Sequence, residues 1–167
     1  VRVVDSYKYL GVWFQSDLGW DKHVNHNVAK ALAKHGAISR ILTCGRISTK
    51  VKLMVWTAVV RSRLEYGAEI MKLGSKQLDR LQSVQQLGLR TILRTNRHAP
   101  SLALEALAGI PSVETRLLKR RLDYQGVIWR MKPTRWTRRV YQVDTGFKVV
   151  LKGPRAKQWR AETESII

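Results

Sequence analysis

With a single cysteine, Cys44, in 167 residues, the chain can form no internal disulfide, and its fold must rest on an apolar core. Long apolar runs are missing too. The longest stretch without a charged residue, 81–89, has 9 residues, against the ~20 that a membrane-spanning helix needs. No apolar signal segment opens the chain, which begins at Val1, so it is expected to be cut from something longer. One unpaired cysteine and no leader fit a reducing, intracellular setting, nuclear or cytoplasmic. Acidic residues are scarce: 12 Asp and Glu stand against 31 Lys and Arg, a net charge of +19. No two aspartates are adjacent, and Asp5, Asp17, Asp21, Glu65, Glu69 and Asp79 are scattered, which excludes an obvious carboxylate pair for two-metal chemistry. His23 and His26 have no cysteine or carboxylate at a metal-ligand spacing, and His98 near Ser101 reads as a loop residue beside a helix cap. No metal and no cofactor are expected within this chain.

What the chain has in excess is positive charge, and an anionic polymer is the partner it implies. Of the 31 basic residues 14 fall in 116–160, alongside two acids, so basic density rises toward the C-terminus. The hydrophobic fraction of 44% suffices for one core. That core is expected to centre on 48–67, where from Leu53 to Val60 only Thr57 is polar. Ser48 reads as the N-cap, Gly67 as the closing left-handed residue, and Trp56 as the middle of a helix covered on all sides.

Around it the chain reads in order. Residues 1–4, a break at Asp5-Ser6 and 7–14 predict a β-hairpin of β-branched and aromatic residues. Gly11 marks a bulge or a close approach by a backbone or ligand. A helix opened by Asp17 or Gly19 follows, with Trp20, Val24, Val28, Ala31, His35, Ile38 and Leu42 as its apolar stripe. Lys22, His26, Lys30 and Lys34 recur every fourth residue on another face, a pattern that fits a solvated surface and a phosphate track equally. Ser75 is expected to cap the next helix, on which Arg90, Arg94 and Arg97 line up; Gln85 falls near its apolar side and calls for a hydrogen-bond partner. A short helix over 101–108 closes at Gly109, and Pro111 starts a long one reaching toward Pro133, with Lys119 and Arg120 on its outer faces. Beyond Pro133 periodicity fades. The fold expected is mainly α: a short hairpin (1–14), a helical domain (15–131) and a basic, weakly ordered tail (132–167).

Four local patterns, in order, carry a family resemblance. Tyr7-Lys8-Tyr9-Leu10-Gly11 with Trp20 and His23, then Leu64-Glu65-Tyr66-Gly67, then LQSVQQLGLRTIL and ALAGIP, resemble the segment after the palm in reverse transcriptases of non-LTR (LINE-type) retrotransposons. The match spans about residues 1–131, and Met71 stands where similar sequences often carry a tryptophan. The resemblance implies a primer-grip hairpin and a thumb that holds the template–primer duplex, with Tyr9, Leu10 and Gly11 near the primer terminus. Magnesium would belong to the palm, which this chain lacks, as it lacks the palm's aspartate pair. The partners implied are an RNA–DNA or RNA duplex and the palm of the same polymerase, with no membrane. The chain then binds nucleic acid without catalysing polymerisation; the alternative is a decayed or repurposed fragment serving as an interaction module.

Overall fold

Leu10 and Gly11 have positive φ, 47° and 84°, and two successive left-handed residues turn a strand back on itself in the sense that strand twist favours. The structure, a computed structural model, describes residues 4–142. Strands β1 (Ser6–Tyr9) and β2 (Val12–Gln15) flank that turn, antiparallel, with Tyr9 opposite Val12 and Ser6 opposite Gln15. The expected turn at Asp5-Ser6 is thus corrected: the run 7–14, which reads as one strand, is most of a hairpin. Strand propensity runs unbroken through it, and a leucine at the first left-handed turn position gives no warning. Of the expected first strand, residues 1–3 lie outside the described residues, and Val4 is not in a strand.

Seven helices follow among the described residues: α1 (Asp21–Thr43), α2 (Thr49–Trp56), α3 (Ser62–Leu64), α4 (Ser75–Leu93), α5 (Ser101–Ala108), α6 (Val113–Arg130) and α7 (Trp136–Gln142). None is long and apolar enough to cross a membrane. Helix α1 starts without a capping side chain at Trp20; instead the Gln15 side chain of β2 accepts from the Lys22 amide at 2.8 Å, while Asp17 holds the Gly19 amide at 2.8 Å. Its expected stripe packs inward, with Val24, Ala31, His35 and Leu42 buried and Trp20, Val28 and Ile38 against the same core.

Between α2 and α3 runs one wider, π-helical turn, Thr57–Arg61. Four residues overshoot a regular α turn by about 40°, so positions 52, 56, 60 and 64 would drift around a regular helix. The wider turn rotates the chain less per residue and cancels part of that drift. Lys52, Trp56, Val60 and Leu64 are all buried. The expectation that this segment is covered all round is corrected, since Val51 and Met54 are exposed; apolar composition overstated burial, and one stripe suffices to hold the helix. Ser48 caps it through the Val51 amide at 3.4 Å, and Gly67, at φ 77°, is the left-handed residue in the turn beyond it.

Trp56 is fully buried, and its indole lies against α4 where Gly88 has no side chain. A Cβ at Gly88 would overlap Trp56 Nε1 and Cε2 and stand 2.7 Å from Cζ2. Helix α4 begins after Gly74, whose amide donates to Gln77 Oε1 at 2.9 Å, so Ser75 is the first helical residue and not the cap. Buried Gln85 donates to Glu105 at 2.9 Å and to the Pro111 carbonyl at 3.1 Å, which supplies the backbone partner it required. Gln82 and Gln86 extend the latch to Val113 and Ser101. Helix α5 spans the expected residues and ends at Gly109, φ 63°.

Helix α6 begins later than Pro111: Ser112 Oγ accepts from the Thr115 amide at 3.2 Å, while the Pro111 carbonyl takes Gln85 and Arg116. Arg116 closes on buried Glu65, with Nε 2.8 Å from Oε1. The chain divides into two compact units, Val1–Leu117 and Leu118–Ile167. In the second, Pro133 sits inside a turn in which the Arg135 amide donates to the Lys132 carbonyl at 2.9 Å. Helix α7 follows, with Tyr141 edge-on to Trp129 at 5.9 Å. A weak extension or a tail was expected from 132 onward; over 133–142 the chain forms this turn and α7, since a proline that ends one helix also fixes the turn that starts the next. The rest of that expected tail, 143–167, lies outside the described residues.

Candidate nucleic-acid interface

Three elements bring basic and aromatic side chains together at one corner of the first unit. Lys22, in the first turn of α1, donates from Nζ to Ser6 Oγ at 2.5 Å and lies over the Trp13 ring, 4.2 Å from its centroid. Lys8 reaches the same ring at 5.7 Å, and His26 meets it edge-on at 6.2 Å. A cation over an indole face is attracted by the ring's quadrupole, so Trp13 concentrates positive charge between the hairpin and α1. Behind α3, Arg63 stacks over Tyr66 at 5.6 Å, and Tyr66 donates its hydroxyl to the Leu10 carbonyl at 2.8 Å.

Beneath this surface lies His23, fully buried. The Trp13 amide donates to its Nδ1 at 3.2 Å, which leaves the proton on Nε2, 2.9 Å from the Tyr66 carbonyl. Asn27 donates to that carbonyl as well, at 3.0 Å. One imidazole thus joins hairpin, α1 and the turn after α3. Burial lowers the His23 pKa, the Tyr66 hydrogen bond opposes the shift, and Arg63 adds to it. His26 is lowered first by burial, then by Arg63, Lys8, Lys30 and His23. Arg63, Lys8 and Lys30 thus act on His26 from α3, β1 and α1.

The expected residues divide into four groups. Tyr9 and Leu10 stand out at the hairpin tip, Leu10 76% exposed, whereas a Cβ on Gly11 would be 3.2 Å from Tyr66. What approaches Gly11 closely is therefore a ring of the same chain, and the bulge reading is replaced by a turn. Lys22, Lys30 and Lys34 are exposed along α1, and among the described residues none is ion-paired with a carboxylate. Arg90, Arg94 and Arg97 do not form a rank on one helix. Helix α4 ends at Leu93, and Arg94 is its left-handed cap, φ 54°. Arg94 donates to the Thr43 carbonyl, Arg90 to the Ala99 carbonyl at 3.3 Å, and Arg97 to His98 at 3.2 Å. Two of the three arginines thus donate to the chain's own carbonyls. In the second unit Lys119 is exposed and Arg120 half-buried.

Sequence reasoning missed Lys8, His26 as the focus of the cluster, and Arg63. Only the fold brings Arg63 to the hairpin; nothing in its local sequence marks it. The carboxylates do not suit a two-metal site: Asp17 holds Gly19, Asp21 accepts from Gln77 at 3.0 Å, Glu65 is tied to Arg116, and no group of three or more His, Cys, Asp or Glu gathers among the described residues. Compared with known proteins, the chain matches no family model, no curated protein and no solved structure.

Proposed function

We propose that this chain is a nucleic-acid-binding module, a thumb-like segment of a non-LTR retrotransposon reverse transcriptase that grips an RNA–DNA or RNA duplex by its phosphates inside the cell, nuclear or cytoplasmic. It has no polymerase activity of its own and needs no metal. The observation that carries this reading is the pair Lys8 and Lys22 set over the Trp13 ring, which His26 meets edge-on, beside a row of lysines that among the described residues have no carboxylate partner. Net charge of +19 adds long-range attraction to a polyanion. The second reading, an interaction module whose charge is only solvated surface, draws support from Arg90 and Arg94, which are spent on the chain's own backbone.

Binding of an RNA–DNA hybrid across a salt series separates the two. Replacing Lys30 and Lys34 by Gln should weaken binding and flatten the plot of log affinity against log salt by about 0.9 for each phosphate that is no longer neutralised. Arg90→Gln with Arg94→Gln should leave that slope unchanged. A parent protein that binds the hybrid with no salt dependence, or not at all, overturns the phosphate-gripping reading.

A further inference from the structure

The hairpin has two faces, and the basic cluster uses one. Cross-strand pairing sets Lys8 beside Trp13 and Ser6 beside Gln15; Ser6, Gln15 and Trp13 meet Lys22 of α1, and Lys8 lies over Trp13. Tyr7 beside Phe14 and Tyr9 beside Val12 make up the other face. There Val12 is buried and Phe14 meets Trp20 edge-on at 5.8 Å. Tyr7 and Tyr9 are 62% and 58% exposed, and among the described residues neither ring makes a hydrogen bond or a ring contact.

A lone exposed aromatic needs no explanation. Two on one strand face, next to the tip that Tyr66 and Arg63 support, form a different object. Alternate residues of a strand stand about 6.7 Å apart, roughly twice the 3.4 Å rise between neighbouring bases in a duplex strand. Bases inside a duplex have both faces covered by their neighbours and offer none to a side chain, whereas bases of an extended single strand, spread to about that spacing, do. Aromatic side chains flanked by positive charge are the usual means of holding such bases, because every base presents a π-face and every linkage a phosphate.

We propose that Tyr7 and Tyr9 are a stacking platform for two unpaired bases of a single-stranded nucleic acid whose phosphates run past Arg63 at the hairpin tip. This rests on the nucleic-acid-binding reading and adds an affinity for bases that phosphate contacts alone do not give. The test compares an oligodeoxyadenylate with an abasic phosphodiester strand of the same length and charge. The parent protein should bind the first at least about ten-fold tighter, as stacking of one or two bases implies. Tyr7→Ala with Tyr9→Ala should bind both strands as the parent binds the abasic one, with the salt slope unchanged, and Tyr7→Phe with Tyr9→Phe should restore the preference. Equal affinity of the parent for the two strands, at a steep salt slope, overturns the platform and leaves phosphate binding standing. A preference that survives in the double alanine variant also overturns it, and failure to bind either strand sinks both readings together.

Discussion

At the scale of single residues, His23 ties acid stability to the architecture of the candidate interface. Its folded pKa is lowered from 6.5, so the unfolded chain takes up the proton first. The stability it contributes is complete above about pH 6.5 and is lost as pH falls through the folded value; His26 and His35, also lowered mainly by burial, act in the same direction. Urea midpoints should therefore drop between about pH 7.5 and about pH 5, and His23→Gln should lower the midpoint at the higher pH while shrinking the drop. A pH dependence that is identical in the variant would remove His23 from this role. Gly88 allows a second test at this scale. Gly88→Ala should cost about 1–3 kcal/mol or more through overpacking against Trp56, and should cost much less in a Trp56→Leu background, where the side chain ends short of the indole atoms in the way. Additive losses in chemical denaturation would show that the ring and the glycine do not meet.

At the scale of elements, the wider turn at Thr57–Arg61 permits a test by changing chain length. Deleting exposed Ala58 puts Trp56, Val60 and Leu64 at the three- and four-residue steps of a regular α-helix, so the same stripe stays buried. The deletion is expected to fold and to lose no more than ~1–2 kcal/mol, whereas inserting an alanine at the same place should unfold the chain or cost far more. Equal damage from both would mean that the π turn carries no register. The elements also show where sequence reading succeeds. The α1 stripe, the limits of α5 and the need of Gln85 for a partner were all legible, because each follows from local periodicity or from a cap. The hairpin turn, the end of α4 at Leu93 and the late start of α6 were not. Leu10 and Arg94 take left-handed conformations that their side chains do not advertise, and tertiary hydrogen bonds to Thr43 and Gln85 decide the two helix limits. The site was legible in part: the α1 lysines follow from spacing, but Arg63 and Lys8 reach His26 only through long-range packing.

At the scale of the whole molecule, positive charge is spread over more surface than any one face can use. Residues 132–167 carry 9 basic residues against 3 acidic ones, so removing them should weaken binding to an RNA–DNA hybrid and to a single strand by similar factors and reduce the salt slope for both. Loss of all binding on truncation would assign the affinity to that segment and leave the α1 lysines as solvated surface. The contact between Trp56 and Gly88 reaches beyond this one chain. Positions 56 and 88 lie on different helices, yet they cannot drift independently through descent: a relative that keeps tryptophan at 56 must keep glycine at 88, and one that gains a side chain at 88 must have shrunk residue 56 beforehand. In an alignment of relatives the two columns should change together, and that pairing is a fingerprint by which distant copies of this fold can be found.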